Sequence, residues 1–200
     1  MPKTRVYLEV GSKRTFASAA DWPGWCRSGK DEQSALEALK RYAPRYAKVA
    51  RLARLDFPDD VGFQVAERLQ GNATTDFGAP GIPAKSEAKA MTDAESKRMV
   101  SLVEACWKYL DEVRAKAPQE LRKGPRGGGR DRDKMYDHVL DAELAYGGGV
   151  GVRLKQSDRA ALLKGFLKPA PGAKWPGPYA ARRTAWHALD HAWEMEDRIP

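Results

Sequence analysis

The spacing of apolar and polar residues changes period along this chain. Val6, Leu8 and Val10 alternate with Tyr7 and Glu9, Gly11-Ser12-Lys13 forms a turn, and Thr15 to Ala20 returns, so the opening predicts a β-hairpin. Asp21-Trp22-Pro23-Gly24 punctuates, a short strand over Trp25 to Ser28 follows, and Asp31 is placed to cap a helix carrying Ala35, Leu36 and Leu39. Pro44 has no N–H to donate and should end or kink that helix, which leaves the stretch from Arg45 to Leu55 as a second one. Phe63, Val65 and Leu69 suggest a last strand. From Gly71 to Met91 the chain is rich in Gly, Ala, Pro and Thr and reads as a linker, with folding back over the helical bundle through Asp76 and Phe77 as the alternative.

Beyond this segment the period becomes helical. Thr92-Asp93-Ala94-Glu95 has capping-box spacing, and Met99, Leu102, Val103, Cys106, Leu110 and Val113 form one inward stripe. A second helix carries His138 and closes at Gly147-Gly148-Gly149. A third runs from about Ser157 to Lys168, and a fourth from about Pro178 to Arg198, after a proline-rich stretch. The expected class is therefore α+β, with a small β-β-β-α-β unit over residues 1–70, a linker over 71–91 and a four-helix bundle over 92–200.

Composition narrows the setting. The 200 residues are 42% hydrophobic, enough for a sizeable core, and no apolar run approaches a membrane span. Met1-Pro2-Lys3-Thr4-Arg5 runs straight into strand-like sequence without a secretory leader, so a cytoplasmic location is expected. Cys26 and Cys106 are far apart and form no C-x-x-C, which argues against a disulfide scaffold or a thiolate zinc site. Cys106 falls on the apolar stripe.

The net charge of +8 raises nucleic acid as a partner, and two clusters carry most of it. Lys40, Arg41, Arg45, Lys48, Arg51 and Arg54 fit the solvated face of a surface helix. The second cluster surrounds Gly124-Pro125-Arg126-Gly127-Gly128-Gly129-Arg130-Asp131, immediately before the helix of His138. A glycine-rich loop at a helix N-terminus aims backbone N–H groups at an anion. Arg126, Gly127, Gly128, Gly129 and Arg130 are thus candidates for holding an anionic substrate group, with a flexible interhelical linker as the alternative.

The candidate chemistry lies in three histidines, all that the chain contains. His187 and His191 stand four residues apart, one above the other on a helix face, so both imidazoles can reach one ion. On its own helix His138 shares a side with Met135, Val139, Ala142 and Ala145 and is expected to point inward, with small Ala142 leaving room for an ion. Three neutral imidazoles suit Zn²⁺, with Ni²⁺ or Fe²⁺ as alternatives, and keep positions open for water or substrate. Asp141, Asp190 and Glu194 each follow a histidine by three and are candidate partners for its second ring nitrogen. Hydrogen-bonded core histidines and exposed helix charges are the competing account.

His138-Val139-Leu140-Asp141-Ala142-Glu143, followed by Trp186-His187-Ala188-Leu189-Asp190-His191, resembles the DinB-like four-helix bundles, which include YfiT-like hydrolases and mycothiol-dependent maleylpyruvate isomerase. The resemblance covers about residues 92–200, although the third helix is short for that family. It implies that the second helix supplies one metal-ligating histidine and the fourth supplies two, and that the activity is thiol transfer or hydrolysis on a small anionic or thiol substrate. Over roughly residues 4–70, Asp21-Trp22-Pro23-Gly24, then Gly29, then Ala35 and Leu36, is similar to the D-x-P-G-x(4)-G-x(5)-A-L pattern of the HicB-like fold. That second resemblance implies a module related to the double-stranded RNA-binding domain, without an evident DNA-binding appendage. The alternative function it suggests is a regulatory unit that meets a protein or nucleic acid, with a structural metal.

Overall fold

The computed structural model describes residues 3–58, 61–124 and 128–200. Strands β1 (Thr4–Val10) and β2 (Thr15–Ala19) form the expected antiparallel hairpin, and β3 (Cys26–Gly29) extends it beside β2. Strand β4 (Phe63–Gln70) lies parallel to β1 at the other edge, so the order is β3-β2-β1-β4. A parallel neighbour requires a crossover, supplied here by helices α1 (Glu32–Arg41) and α2 (Ala43–Leu52). Asp31 caps α1 by accepting from Ser34 N at 2.8 Å. Pro44 sits in the first turn of α2, where its missing N–H costs nothing, so it opens the second helix earlier than the expected Arg45. Then come α3 (Ala73–Phe77), a 3-10 turn (Lys85–Ala88), α4 (Asp93–Lys116), α5 (Arg132–Gly149), α6 (Arg159–Leu167) and α7 (Gly177–Asp197). Among the described residues the fold is α+β, with a four-stranded mixed sheet and seven α-helices, and no helix is long and apolar enough to cross a membrane.

The alternation in β1 suggests one wet face, yet both faces are covered. Val6 and Leu8 pack with Trp25, Ala35, Leu39 and Tyr46 beneath α1 and α2. On the opposite face Tyr7 packs with Leu69 and Ala84, and Phe16 meets the Trp186 ring edge-on at 6.0 Å. Buried Glu9 is tolerated there because Gly81 N and Ile82 N donate to its carboxylate at 2.8 and 3.0 Å, joined by the Thr75 hydroxyl.

The 71–91 segment, expected as a linker, is accordingly a covering layer of the sheet. Asp76 accepts from Lys13 N and the Ser12 hydroxyl, which pins α3 to the hairpin turn rather than to the helices, and Phe77 stays 90% exposed. The apolar core runs unbroken from Val6 and Trp25 through Leu102, Cys106 and Leu110 to Leu189, across the boundaries expected at 70 and 92.

Helix α7 is the centre of the molecule, packed against α4, α5, α6 and the 3-10 turn. Gly24, the glycine of the Asp-Trp-Pro-Gly turn, shows how closely the sheet unit meets it. Gly24 has φ of +92°, and a Cβ there would stand 2.8 Å from Leu189 Cδ1 and 3.0 Å from Cys106 Sγ. Gly24→Ala is therefore expected to lower stability by more than about 1 kcal/mol, read as an earlier denaturant midpoint. An unchanged midpoint would show that the turn relaxes freely.

Candidate metal centre

Helix α7 carries His187 and His191 one turn apart on a face that looks toward α5. His138 comes from α5, and its ring stands edge-on to both, with centroids at 5.0 Å from His187 and 5.1 Å from His191. The three side chains each bring a ring nitrogen into a group whose members all lie within 4.8 Å of one another. Between His187 Nε2 and His191 Nε2 the separation is 3.1 Å.

The buried face of α5 differs from the expected one. Met135, Val139, Glu143 and Tyr146 are buried, Ala142 is half-buried and Ala145 is exposed. His138 thus sits at the rim of the buried face, and the cluster has a half-exposed side at His138 above a buried floor at His187.

Protonation favours ligand chemistry. Burial lowers the pKa of His187 well below the ordinary value, with the charges of His191, His138, Arg183 and Arg130 adding to the effect. Burial also lowers His138, with Arg130 and His191 contributing. Both rings are therefore neutral near pH 7 and have a lone pair to offer. Glu194 accepts from His191 Nδ1 at 3.0 Å, and that hydrogen bond, with burial opposing it, holds the Glu194 carboxyl below its usual range. An ionised carboxylate can only accept, so His191 Nδ1 carries the proton of that bond, and Nε2, in hydrogen-bond contact with His187 Nε2, is the nitrogen turned toward the cluster.

Tetrahedral zinc with ligand nitrogens at about 2.0–2.1 Å places them roughly 3.3 Å apart, close to the spacing of the two Nε2 atoms. The three imidazoles could hold a metal ion. The donor set contains no carboxylate or thiolate, so a bound dication keeps its charge and retains room for further ligands.

The other sequence candidates divide. Asp190 pairs with Arg27 at 2.8 Å, which ties α7 to β3 and takes it away from the histidines. Asp141 is exposed and acts on His138 only through space. Arg126 and Gly127 lie outside the described residues. Gly128, Gly129 and Arg130 are exposed, and the Arg198 guanidinium packs against Gly129 while donating to Arg130 O at 2.8 Å and Arg122 O at 2.7 Å. This part of the loop therefore presents carbonyls to a cation, and Arg130 contributes positive charge near the cluster. The Asp131 side chain accepts from Leu121 N rather than from the first turn of α5.

Periodicity misses Tyr146 and the buried neighbours of Arg183. The Tyr146 ring lies 5.8 Å from the His187 ring and 5.5 Å from the Arg183 guanidinium carbon. The one sequence signal for Arg183 is its position one turn before His187. Both cysteines are buried and unpaired, Cys26 with its thiol pushed up to about 12 by burial, so neither offers a reactive thiolate beside the cluster.

A pH dependence follows from the lowered imidazoles. Below the ordinary histidine value of 6.5 the unfolded chain takes up protons that folded His187 and His138 refuse. The metal-free protein is expected to lose stability as pH falls from about 7 to about 5, and His187→Gln to flatten that slope. Thermal unfolding after chelation checks it, and a pH-independent midpoint over that range would contradict the neutral cluster.

No family model, curated protein or solved structure matches the chain.

Proposed function

We propose that this chain is a metal-binding protein of the DinB/YfiT-like kind and a metal-dependent enzyme of thiol transfer or hydrolysis, acting on a small thiol or anionic substrate. The observation that carries the reading is the convergence of His138, His187 and His191 to within 4.8 Å from two helices, with one side half-exposed. The order of the ligands, one on α5 and two on α7, also supports it. A divalent ion there would supply Lewis acidity that makes a bound water or thiol a nucleophile near neutral pH. The chain's own residues prepare the site. Glu194 fixes the His191 tautomer, the Trp186 and Tyr146 rings wall His187, and Arg183 and Arg130 favour negative charge. A cytoplasmic setting belongs to this reading, as do a HicB-like fold for the amino-terminal unit and a DinB-like bundle formed by α4 to α7.

The test is protein purified without a histidine tag and supplied with Zn²⁺ or Co²⁺. One ion per chain is expected, and a small thiol added to the cobalt form should produce a sulfur-to-metal charge-transfer band or, for a hydrolase, leave a water-ligated spectrum unchanged. Failure to retain any divalent ion would remove this reading.

The second reading is a regulatory module, favoured by the cations on the outer surface of α1 and α2. Lys40, Arg41, Lys48, Arg51 and Arg54 are all exposed, with no carboxylate in ion-pair contact among the described residues. Steeply salt-dependent duplex binding, lost when these residues are neutralised, would favour it over the enzyme.

A further inference from the structure

We infer that Arg183 receives a carboxylate of the substrate, one helical turn from the histidine cluster. The inference rests on the metal-centre reading above and adds the chemical class of the substrate's second anchor.

Four arginines that pack on or within α7 are matched to carboxylates. Arg182 pairs with Glu87, Arg198 with Glu194, Arg27 with Asp190, and Arg45 with Glu196 and Asp197. Arg183, within α7 itself, differs: among the described residues no carboxylate lies within ion-pair distance of it. Its setting is nevertheless specific. One terminal nitrogen donates to Pro80 O, which anchors the guanidinium, and the guanidinium carbon stands 5.5 Å from the Tyr146 ring and 5.7 Å from the Trp186 ring. Nε is buried and makes no hydrogen bond among the described residues. A half-buried cation flanked by aromatic rings, with no counter-charge, pays a desolvation cost that an anion would relieve.

The same two rings border His187. Its centroid lies 5.8 Å from that of Tyr146 and 5.8 Å from that of Trp186, so guanidinium and ligand share both walls. Two further buried polar atoms without a hydrogen-bond partner among the described residues, Thr184 Oγ1 and His187 Nδ1, lie on this stretch of the helix. With one terminal nitrogen committed to Pro80 and Nε occluded, Arg183 keeps its second terminal nitrogen as the donor for a charge-assisted hydrogen bond to a carboxylate. Arg183 precedes His187 by one turn, about 5.4 Å along the axis. The fitting ligand is thus short, with its reacting end at the histidines and a carboxylate at Arg183.

The experiment uses full-length zinc-loaded protein and calorimetric titration with succinate and with succinamate, in which one carboxylate is a neutral amide. Succinate is expected to bind about tenfold or more tighter than succinamate. Arg183→Gln should erase that difference while leaving zinc stoichiometry unchanged, and Arg183→Lys should retain part of it. The wild-type comparison stands alone if Arg183→Gln does not fold, and equal affinity for succinate and succinamate there overturns the inference. So does a preference that persists in Arg183→Gln, or one that is lost only in Arg130→Gln. Zinc analysis of the same samples separates these outcomes from failure of the metal centre, since a chain that takes up no zinc overturns both.

Discussion

Replacing His187 by Ala is expected to abolish stoichiometric retention of a divalent ion while the protein stays folded. His187 forms the buried floor of the cluster and stands 3.1 Å from His191 through the two Nε2 atoms. Its loss leaves two nitrogens on different helices, too few to compete with water. The effect should exceed the roughly 10–100-fold loss that follows removal of a partner supporting a ligand. Glu194→Gln tests that smaller class, because it removes the carboxylate that sets the His191 tautomer. Asp190→Asn and Asp141→Asn should leave metal affinity nearly unchanged, the first because Asp190 serves Arg27 and the second because Asp141 is exposed. Metal content after dialysis against a weak chelator, measured with circular dichroism on the same samples, checks the series. Equal stoichiometry in His187→Ala and the wild type would remove His187 from the site.

Glu87→Ala is expected to destabilise the fold by about 3–5 kcal/mol, the usual cost of stranding one half of a buried ion pair. Glu87 and Arg182 are 6% and 4% exposed, and the pair is bidentate, with Arg182 Nε to Oε1 at 2.7 Å and Nη2 to Oε2 at 3.0 Å. Arg182 also donates to Ile82 O at 3.1 Å, and Ala84 N donates to Glu87 at 2.7 Å, so the pair clamps the 3-10 turn onto α7. Removing Glu87 leaves a guanidinium in the interior with one backbone acceptor. A Glu87→Leu, Arg182→Met double variant should recover much of the loss, since apolar residues of similar volume escape the desolvation penalty. Denaturant unfolding of the single and double variants measures this. A single variant within about 1 kcal/mol of wild type would mean that the 71–91 layer contributes little to stability.

Elements whose signals are local were readable from the chain. The hairpin, the Asp31 and Thr92 caps, the inward stripe of α4 and the extents of α5 to α7 depend on turn chemistry and on periods of two or 3.6 residues, which neighbouring side chains encode. The histidine pair was legible for the same reason, because spacing by four on a helix is itself a geometric statement. Glu194 was legible as a partner; Asp190 and Asp141 had the same spacing, and spacing cannot tell which carboxylate finds a competing arginine. The burial of Glu9 and the role of residues 71–91 were not legible, because a polar side chain in a strand looks solvent-facing until a remote segment supplies its donors.

By itself the sequence determined the element types, the period of each apolar face and the supply of three imidazoles as the candidate ligands. The tertiary structure decided that α7 is the centre of the molecule, that Asp190 serves Arg27 rather than a histidine, and that no carboxylate among the described residues pairs with Arg183. The physical reason is range. Turn and helix hydrogen bonds and helical periodicity act over a few residues of chain, whereas desolvation, ion pairing and ligand convergence depend on which side chains from distant segments exclude water from one another.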